Sequence, residues 1–193
     1  MPFTYNGIGT KYYGMKNVEV YQGTCESCGK NARLRSYDTF KAISVLFIPI
    51  IPLGEKKIID DCSICGRHKV VSVKKWEKIK TESVNLAYDN WIQQPDNIET
   101  VNELLNTILY FRDEEKLNSI SNEIYIKYSN NAGVMNYLGS IFMSFNQFSK
   151  AEEAYRKALQ VEDCEEAREN LAEVLMKNSK PDDAKQLIWH IVT

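Results

Sequence analysis

Two short cysteine pairs are the residues of this chain whose type and spacing most clearly imply chemistry. Cys25 and Cys28 form one CxxC pair, Cys62 and Cys65 form a second, and a glycine follows each pair. The tight turn within a CxxC pair aims both sulfur atoms at one point, and two pairs supply the four thiolates of a closed tetrahedral zinc shell. The 33 residues between the pairs exceed the commonest spacing of such sites. The sequence nevertheless predicts one structural Zn²⁺ per chain, held by these four cysteines.

Other uses of the cysteines are open but less favoured. Disulfides need an oxidising compartment, whereas the N-terminus has no basic start followed by an apolar run, so we expect a cytoplasmic protein. A thioredoxin-like CxxC lies at a helix start, but both pairs here lie between strand-like runs. Catalytic zinc keeps one coordination position open, which four thiolates do not. His68 is close enough in sequence to replace a ligand, but we expect it to be solvated and Cys164 to be an unpaired thiol.

The charge distribution divides the chain. The net charge of the 193 residues is −2, yet residues 1–80 carry 14 Lys and Arg against 7 Asp and Glu, and residues 81–193 carry 10 against 19. The two parts therefore carry net charges of +7 and −9, which indicates two different surfaces joined near residues 75–80. We predict a zinc-binding domain over 1–74, a bridging helix over 75–95 and a helical domain over 96–193.

An apolar segment from Ile43 to Leu53 stands out in the first part. It is shorter than the roughly 20 residues that a membrane-spanning helix needs, and its two prolines oppose a helix. The β-branched and aromatic residues favour an extended strand that packs against the core, with a turn over Pro52–Glu55. The alternative is an exposed apolar patch that contacts a membrane surface or a partner.

Short strand-like runs surround each cysteine pair and predict a small β domain. They are Val18–Tyr21, Ala32–Tyr37, Ile43–Phe47, Lys57–Asp60 and Lys69–Val73. The GxGT start at Gly7, the FIPIIPLG segment at Phe47 and the two CxxC pairs resemble the zinc-ribbon domain of small proteins over residues 5–72. The resemblance implies zinc binding by the four cysteines and carries no enzymatic activity. The expected fold class is α+β multidomain: a small β zinc ribbon followed by an all-α domain of tetratricopeptide-like helical repeats.

The second part repeats with a period of 33 residues. Leu138, Gly139, Phe142 and Ala151 recur as Leu171, Ala172, Leu175 and Ala184. These large and small positions resemble a tetratricopeptide unit, in which small residues permit close helix contact. Ser149 and Glu152 have the spacing of a capping box at the start of the second helix. With a weaker preceding unit, we expect about three helix pairs; the alternative is an unrelated helical bundle.

A protein or peptide partner is expected on the concave face, which the first helix of each pair lines in such repeats. Helical phase places polar and acidic side chains there rather than the lysine and arginine that would clamp a carboxylate, which favours a basic or polar peptide. The alternative is that the glutamates only form a solvated face. The predicted partner-binding residues are Asn102, Asn106, Asn136, Ser140, Met143, Glu169 and Glu173, with Leu109, Glu166 and Met176 in the same phase.

These features together predict a non-catalytic zinc-binding adaptor that binds a partner through its helical repeats. The chain has two histidines far apart, no phosphate-binding glycine loop and no nucleophile constellation, so we expect no enzyme. Nucleic-acid binding through Lys30, Arg33, Arg35 and Lys41, with Tyr37 and Phe40 for stacking, is a second hypothesis. Membrane-surface association through Ile43–Leu53 is a third. In the apolar C-terminal helix, Leu187, Ile188 and Ile191 are predicted core, and exposure of Trp189 and Val192 is predicted, which would suit homodimerisation or another partner.

Overall fold

The computed structural model of the protein describes residues 4–5 and 8–192, with side chains omitted for Thr4 and for 188–192. The chain divides into two compact units, Met1–Thr81 and Glu82–Thr193. The predicted core positions Ile188 and Ile191 and the predicted exposed positions Trp189 and Val192 lie outside the described side chains.

The first unit contains an antiparallel sheet with the sequential strand order β1-β2-β3-β4-β5. The strands are β1 (Thr4–Tyr5), β2 (Ile8–Thr24), β3 (Asn31–Val45), β4 (Ile48–Cys62) and β5 (Lys69–Ser72). Each strand pairs with the next in sequence. The β2–β3 and β4–β5 connections therefore meet at one end of the sheet, and the β3–β4 turn lies at the other end.

The prediction of a small zinc ribbon is wrong, because β2, β3 and β4 are 17, 15 and 15 residues long. Ordinary strands have about five or six residues. The short runs seen in sequence are joined through bulges, where the pairing register shifts between Tyr13 and Glu19 on β2 and near Phe40 on β3. A bulge absorbs an extra residue without ending the strand. For the same reason Pro52–Glu55 continues β4 instead of forming the predicted turn.

The β3–β4 turn consists of Leu46 and Phe47 alone. Both have positive φ, 50° and 68°, as in the two-residue hairpin turns that normally take Asn-Gly. A side chain other than glycine costs about 1–2 kcal/mol in this left-handed region. The Tyr13 hydroxyl donates to the Phe47 carbonyl at 2.8 Å, and Lys11 Nζ lies 4.9 Å from the centre of the Phe47 ring. A strained turn is thus held in place by contacts from β2.

The segment around this turn is exposed rather than buried. Leu46, Phe47 and Ile48 expose 70%, 61% and 62% of their surface. The buried cluster of the first unit instead surrounds the cysteines, with Ala32 and Leu34 beside Cys25 and Cys62. The expectation that Ile43–Leu53 packs against the core is therefore wrong.

Seven helices follow within the described residues, as the sequence predicted for a helical part. They are α1 (Val73–Gln93), α2 (Ile98–Phe111), α3 (Glu114–Lys127), α4 (Ala132–Ser144), α5 (Phe148–Val161), α6 (Glu165–Lys177) and α7 (Pro181–Val192). Helices α2 and α4 start 34 positions apart, and α4 and α6 start 33 positions apart. Consecutive helices pair as α2–α3, α4–α5 and α6–α7, and α4 also contacts α2 and α6.

Close approach between α4 and α5 depends on the absence of a side chain at Gly139. A Cβ built there would lie 2.5 Å from Cε1 of Tyr155. Tyr155 is 2% exposed and its hydroxyl donates to Ser140 Oγ at 3.2 Å. The equivalent helix, α6, has the small, buried Ala172 at this position. The sequence-predicted role of Gly139 agrees with this packing.

Glu152 does not complete a capping box. Helix α5 begins at Phe148, one position before the predicted cap Ser149, and its N-cap Gln147 makes no side-chain cap bond. The Glu152 carboxylate is buried and accepts hydrogen bonds from Lys180 Nζ at 2.9 and 3.0 Å, Asn178 Nδ2 at 2.8 Å and Arg156 Nε at 3.0 Å. It therefore joins α5 to the residues between α6 and α7.

Candidate metal centre and partner-binding face

The four cysteines of the two CxxC pairs meet at one end of the sheet. Cys25 and Cys28 lie in the β2–β3 connection, Cys62 ends β4, and Cys65 lies in the β4–β5 connection. Their sulfur atoms all lie within 4.8 Å of one another, and Cys25 Sγ is 3.7 Å from Cys65 Sγ. A tetrahedral shell with Zn–S bonds of about 2.3 Å has sulfur–sulfur edges of about 3.8 Å. The cluster is compatible with a metal site.

The two turns that carry the cysteines have matching hydrogen bonds. Gly29 N–H donates to the Cys25 carbonyl at 2.8 Å, and Gly66 N–H donates to the Cys62 carbonyl at 2.8 Å. Both glycines have a φ of 67°, a conformation that glycine adopts without cost. The glycine after each CxxC pair is thus required by the turn that brings the two sulfur atoms together.

The pKa values of the thiols diverge within the cluster. Burial opposes ionisation of Cys25, but hydrogen bonds from the Cys28 and Ser27 amides and from neighbouring thiols outweigh it and lower the Cys25 pKa to about 7. At Cys65 the Arg67 amide favours the thiolate, but burial and the neighbouring sulfur atoms outweigh it and raise the pKa to about 11. Four thiolates together need a compensating cation, and metal binding is coupled to this loss of protons.

The residues present fit a metal ion on three counts. Their ligand atoms are thiol sulfurs, the donors that suit zinc. Cys25 and Cys62 are 3% and 2% exposed, so the centre excludes water on that side. The Ile64 amide donates to Cys62 Sγ at 3.4 Å, which orients that sulfur from outside the shell.

His68, the alternative ligand, and Cys164, the fifth cysteine, lie outside the cluster. His68 Nδ1 lies 3.3 Å from the Gly66 carbonyl and 3.8 Å from Asp61 Oδ1, and His68 does not join the sulfur cluster. Cys164 is the N-cap residue of α6, in the second unit. Within the described part of the chain, the candidate metal ligands are therefore the four paired cysteines.

Helices α2, α4 and α6 present a row of hydrogen-bonded polar side chains, which we call the first-helix face. The Tyr137 hydroxyl on α4 donates to Asn106 Oδ1 on α2. Asn136 donates to Glu166 Oε1 at 3.1 Å and accepts from Asn170 Nδ2 at 3.0 Å, so it bonds twice to α6. These bonds connect the first helices of three successive pairs.

The remaining predicted partner-binding residues occupy different depths. Glu169 and Glu173 are exposed on α6, and Asn102 and Met143 are half-buried. The Ser140 hydroxyl donates to the Asn136 carbonyl at 3.2 Å and accepts from Tyr155, so it faces α5 as well. Sequence reasoning missed Tyr137 and Asn170, which lie beside predicted positions in the helix but bond across to the neighbouring helix.

Several basic side chains of the first unit contact acidic or aromatic partners. Arg35 pairs with Asp61 at 2.6 Å, and Lys69 pairs with Glu26 at 2.7 Å. Lys41 Nζ lies 5.8 Å from the centre of the Tyr12 ring. Nucleic-acid binding through the first unit, which requires basic side chains to contact phosphates, stays a prediction.

The chain has a loose structural likeness to solved MamA structures. No family model matches the sequence, and no curated protein matches it. Among solved structures, a mutant of MamA has a TM-score of 0.44 at 15% identity over 54% of this chain and 62% of that chain. MamA AMB-1 has a TM-score of 0.45 at 16% identity, covering 54% and 58%, and MamA MSR-1 has 0.44 at 16%, covering 56% and 63%. The chain thus spans less than two thirds of each of these proteins, and a likeness this loose carries no inference.

Among the described residues, no helix has both the length and the hydropathy that crossing a bilayer requires.

Proposed function

We propose that this chain is a non-catalytic scaffold whose second unit binds a basic or polar protein segment on the first-helix face. The observation that carries this proposal is the polar row formed by Asn106, Tyr137, Asn136 and Asn170, which crosses α2, α4 and α6. Asn106, Asn136 and Asn170 thus place a side-chain amide on each of three successive first helices.

Two features support a tetratricopeptide-like scaffold. The 33- and 34-residue spacing of the first helices matches repeats of that class, and Gly139 and Ala172 permit close packing within the pairs. Repeat arrays bind partners on extended surfaces of this type. The interaction itself is the proposed activity, and no enzymatic step is assigned.

Charge indicates the chemistry of the partner. The predicted positions on α6 carry Glu166, Glu169 and Glu173, and the second part of the chain has a net charge of −9. Complementary charge raises the association rate and excludes like-charged partners. A segment rich in lysine or arginine is therefore the proposed partner.

The four cysteines are proposed to hold one structural Zn²⁺. Bound there, the metal would cross-link the turn that carries Cys25 and Cys28 to the turn that carries Cys62 and Cys65. Four protein ligands close the tetrahedral shell and leave no position for a substrate, which supports a structural role. Thiols persist as ligands in a reducing compartment, so we place the protein in the cytoplasm.

A charge-reversal pair tests the scaffold proposal in the full chain. Binding is measured to arrays of lysine- and arginine-rich peptides and of aspartate- and glutamate-rich peptides of equal length. Glu169→Lys with Glu173→Lys should weaken binding to the basic peptides roughly tenfold, because two attractive charges become repulsive. Glu115→Lys with Glu123→Lys is the matched control, since both glutamates are exposed on α3 and the net charge changes equally.

The control separates a local site from general electrostatics. Equal weakening by both pairs would assign the binding to the net charge and contradict a site on the first-helix face. Failure of the unmodified chain to bind any basic peptide above the level of the acidic ones would contradict the partner chemistry. Circular dichroism of each variant establishes that the helices are retained.

A further inference from the structure

One end of the sheet carries a concentration of exposed apolar side chains, which we call the apolar end. Its centre is the Leu46–Phe47 turn, and the register places Ile8 opposite Val45 and Val45 opposite Ile48. Each member is at least 40% exposed. The members are Tyr5, Ile8, Val45, Leu46, Phe47, Ile48, Ile50, Ile51 and Leu53. Patches larger than a few hundred Å² are rare on monomeric proteins unless they contact something.

The strand segments of the apolar end contain no charged residue, and the first charged residues beyond them are mainly basic; the Lys11 side chain reaches from this boundary to the Phe47 ring. Residues 42–54 contain no charged side chain. On three adjacent strands the next charged positions are Lys11, Lys41 and the Glu55–Lys56 pair, and Lys11 lies opposite Ala42 in the register. The boundary is therefore mainly basic. The long lysine side chains can lie along apolar surface while their ammonium groups reach water.

The dimensions fit the surface layer of a membrane. From Ala42 to the turn residue Leu46 the strand rises about 3.3 Å per residue, or about 13 Å at most. Interfacial segments bury about 5–10 Å into the boundary between headgroups and acyl chains, whereas the hydrocarbon core is about 30 Å thick. The apolar end is deep enough to enter one leaflet and too short to cross the bilayer.

The composition of β4 argues against a protein strand as the occupant. Strand β5 pairs with β4 only from Lys56 to Ile59, so no described strand covers the outer edge of β4 near the turn. Pro49 and Pro52 lie on this edge and cannot donate a backbone hydrogen bond. Prolines block the addition of a further strand. They also remove donors that would be unsatisfied in an apolar medium.

We propose that the apolar end inserts into the surface of an anionic lipid bilayer, with Leu46 and Phe47 leading and Lys11, Lys41 and Lys56 at the headgroups. The strained turn places two large apolar side chains at the extreme end of the hairpin, where an unstrained turn would place polar or small ones. Tyr13 and Lys11 fix that turn before any contact with lipid. Apolar insertion and attraction of lysine to acidic headgroups then act together.

The test uses a variant that should fold better than the parent. Leu46→Asn with Phe47→Gly supplies the residues that this turn prefers, so the thermal midpoint should not fall, while the leading side chains are lost. Full-length protein is sedimented with vesicles of phosphatidylcholine alone and of phosphatidylcholine with phosphatidylserine. The parent should bind the second kind, and the variant should bind roughly tenfold more weakly or worse. Lys11→Ala should weaken binding about fivefold.

A matched control changes exposed apolar residues of the same sheet outside the apolar end. Met15 and Val18 are 56% and 50% exposed, and Met15→Asn with Val18→Asn should leave vesicle binding unchanged. A parent protein that stays in the supernatant with both vesicle types would overturn the proposal, as would equal binding by the turn variant. Self-association of the parent in light scattering, lost in the turn variant and unaffected by vesicles, would assign the apolar end to a second copy and overturn it too.

Discussion

The close contact between α4 and α5 gives a sharp stability prediction. A Cβ added by Gly139→Ala would lie 2.5, 2.7 and 2.9 Å from Cε1, Cδ1 and Cζ of Tyr155. The shortest of these is roughly 1 Å below the ~3.5 Å at which carbon atoms pack favourably. Gly133→Ala, in the same helix, meets its nearest atom at 3.5 Å, which is an ordinary contact.

Alanine gains up to about 1 kcal/mol of helix propensity at Gly139, inside α4, and no more than that at Gly133, in its first turn. Propensity therefore does not favour Gly133→Ala over Gly139→Ala, so a lower stability of Gly139→Ala reports the clash; overpacking a dense core costs about 1–3 kcal/mol. We expect Gly133→Ala to be neutral or stabilising. The free energy of unfolding of Gly139→Ala should be about 1–3 kcal/mol lower than that of Gly133→Ala.

Urea unfolding followed by far-UV circular dichroism measures the difference. The same pair of substitutions in a Tyr155→Leu background serves as a control, since a flexible side chain can move away and the difference should shrink. Equal stability of the two alanine variants in the parent background would refute the packing argument.

Two further predictions concern the metal centre and the buried carboxylate. Metal analysis should find one zinc per chain; Cys62→Ser should lose the metal and the fold of the first unit, because structural zinc contributes roughly 10–16 kcal/mol in small peptides. Cys164→Ser should keep the metal and the fold of the first unit, and full metal content in Cys62→Ser would contradict the ligand assignment. The second prediction concerns Glu152. Burial opposes the charge on its carboxylate, but hydrogen bonds from Lys180, Asn178 and Arg156 outweigh this effect and lower its pKa from the ordinary 4.5. Its contribution to the free energy of unfolding is complete above the ordinary pKa and is lost as the pH falls through the lower folded pKa. Glu152→Gln should cost about 1–3 kcal/mol at neutral pH, and the cost should shrink in acid; a cost that is independent of pH would contradict this.

The clustering of the cysteines could be predicted from the sequence, because each CxxC turn is a local feature. A CxxC turn positions its own two sulfur atoms, and the glycines after Cys28 and Cys65 mark the same turn twice. Only the joining of the two turns depends on the sheet. The ion itself stays a prediction.

The lengths of the strands could not be predicted from the sequence, because they depend on the pairing with neighbouring strands. The predicted turn over Pro52–Glu55 includes Gly54, yet Gly54 lies within β4 with a φ of 87°, and Gly14 lies within β2 with a φ of 71°. Asn17 and Asp60 also have positive φ within strands. Bulges accommodate such residues, and no property of a short sequence window distinguishes a bulge from a turn.

The helical pairs were predicted more successfully, since their period is carried by buried residues. Leu138 and Leu171 are 0% and 2% exposed, and Ala151 and Ala184 are 0% and 3% exposed. The bonds between first helices were missed, because Tyr137 and Asn170 lie beside the positions that helical phase selects. Long polar side chains reach sideways to the next helix, which a phase argument based on Cα positions does not capture.

Glu152 makes the last two helix pairs depend on one another. Its carboxylate lies on α5, Asn178 is the C-cap of α6, and Lys180 immediately precedes α7. Detachment of either of the last two helices would therefore remove a partner from a buried charge. In a linear array, coupling between neighbours decides how far fraying from an end proceeds. Helices α6 and α7 are accordingly expected to open as one cooperative step rather than one helix at a time.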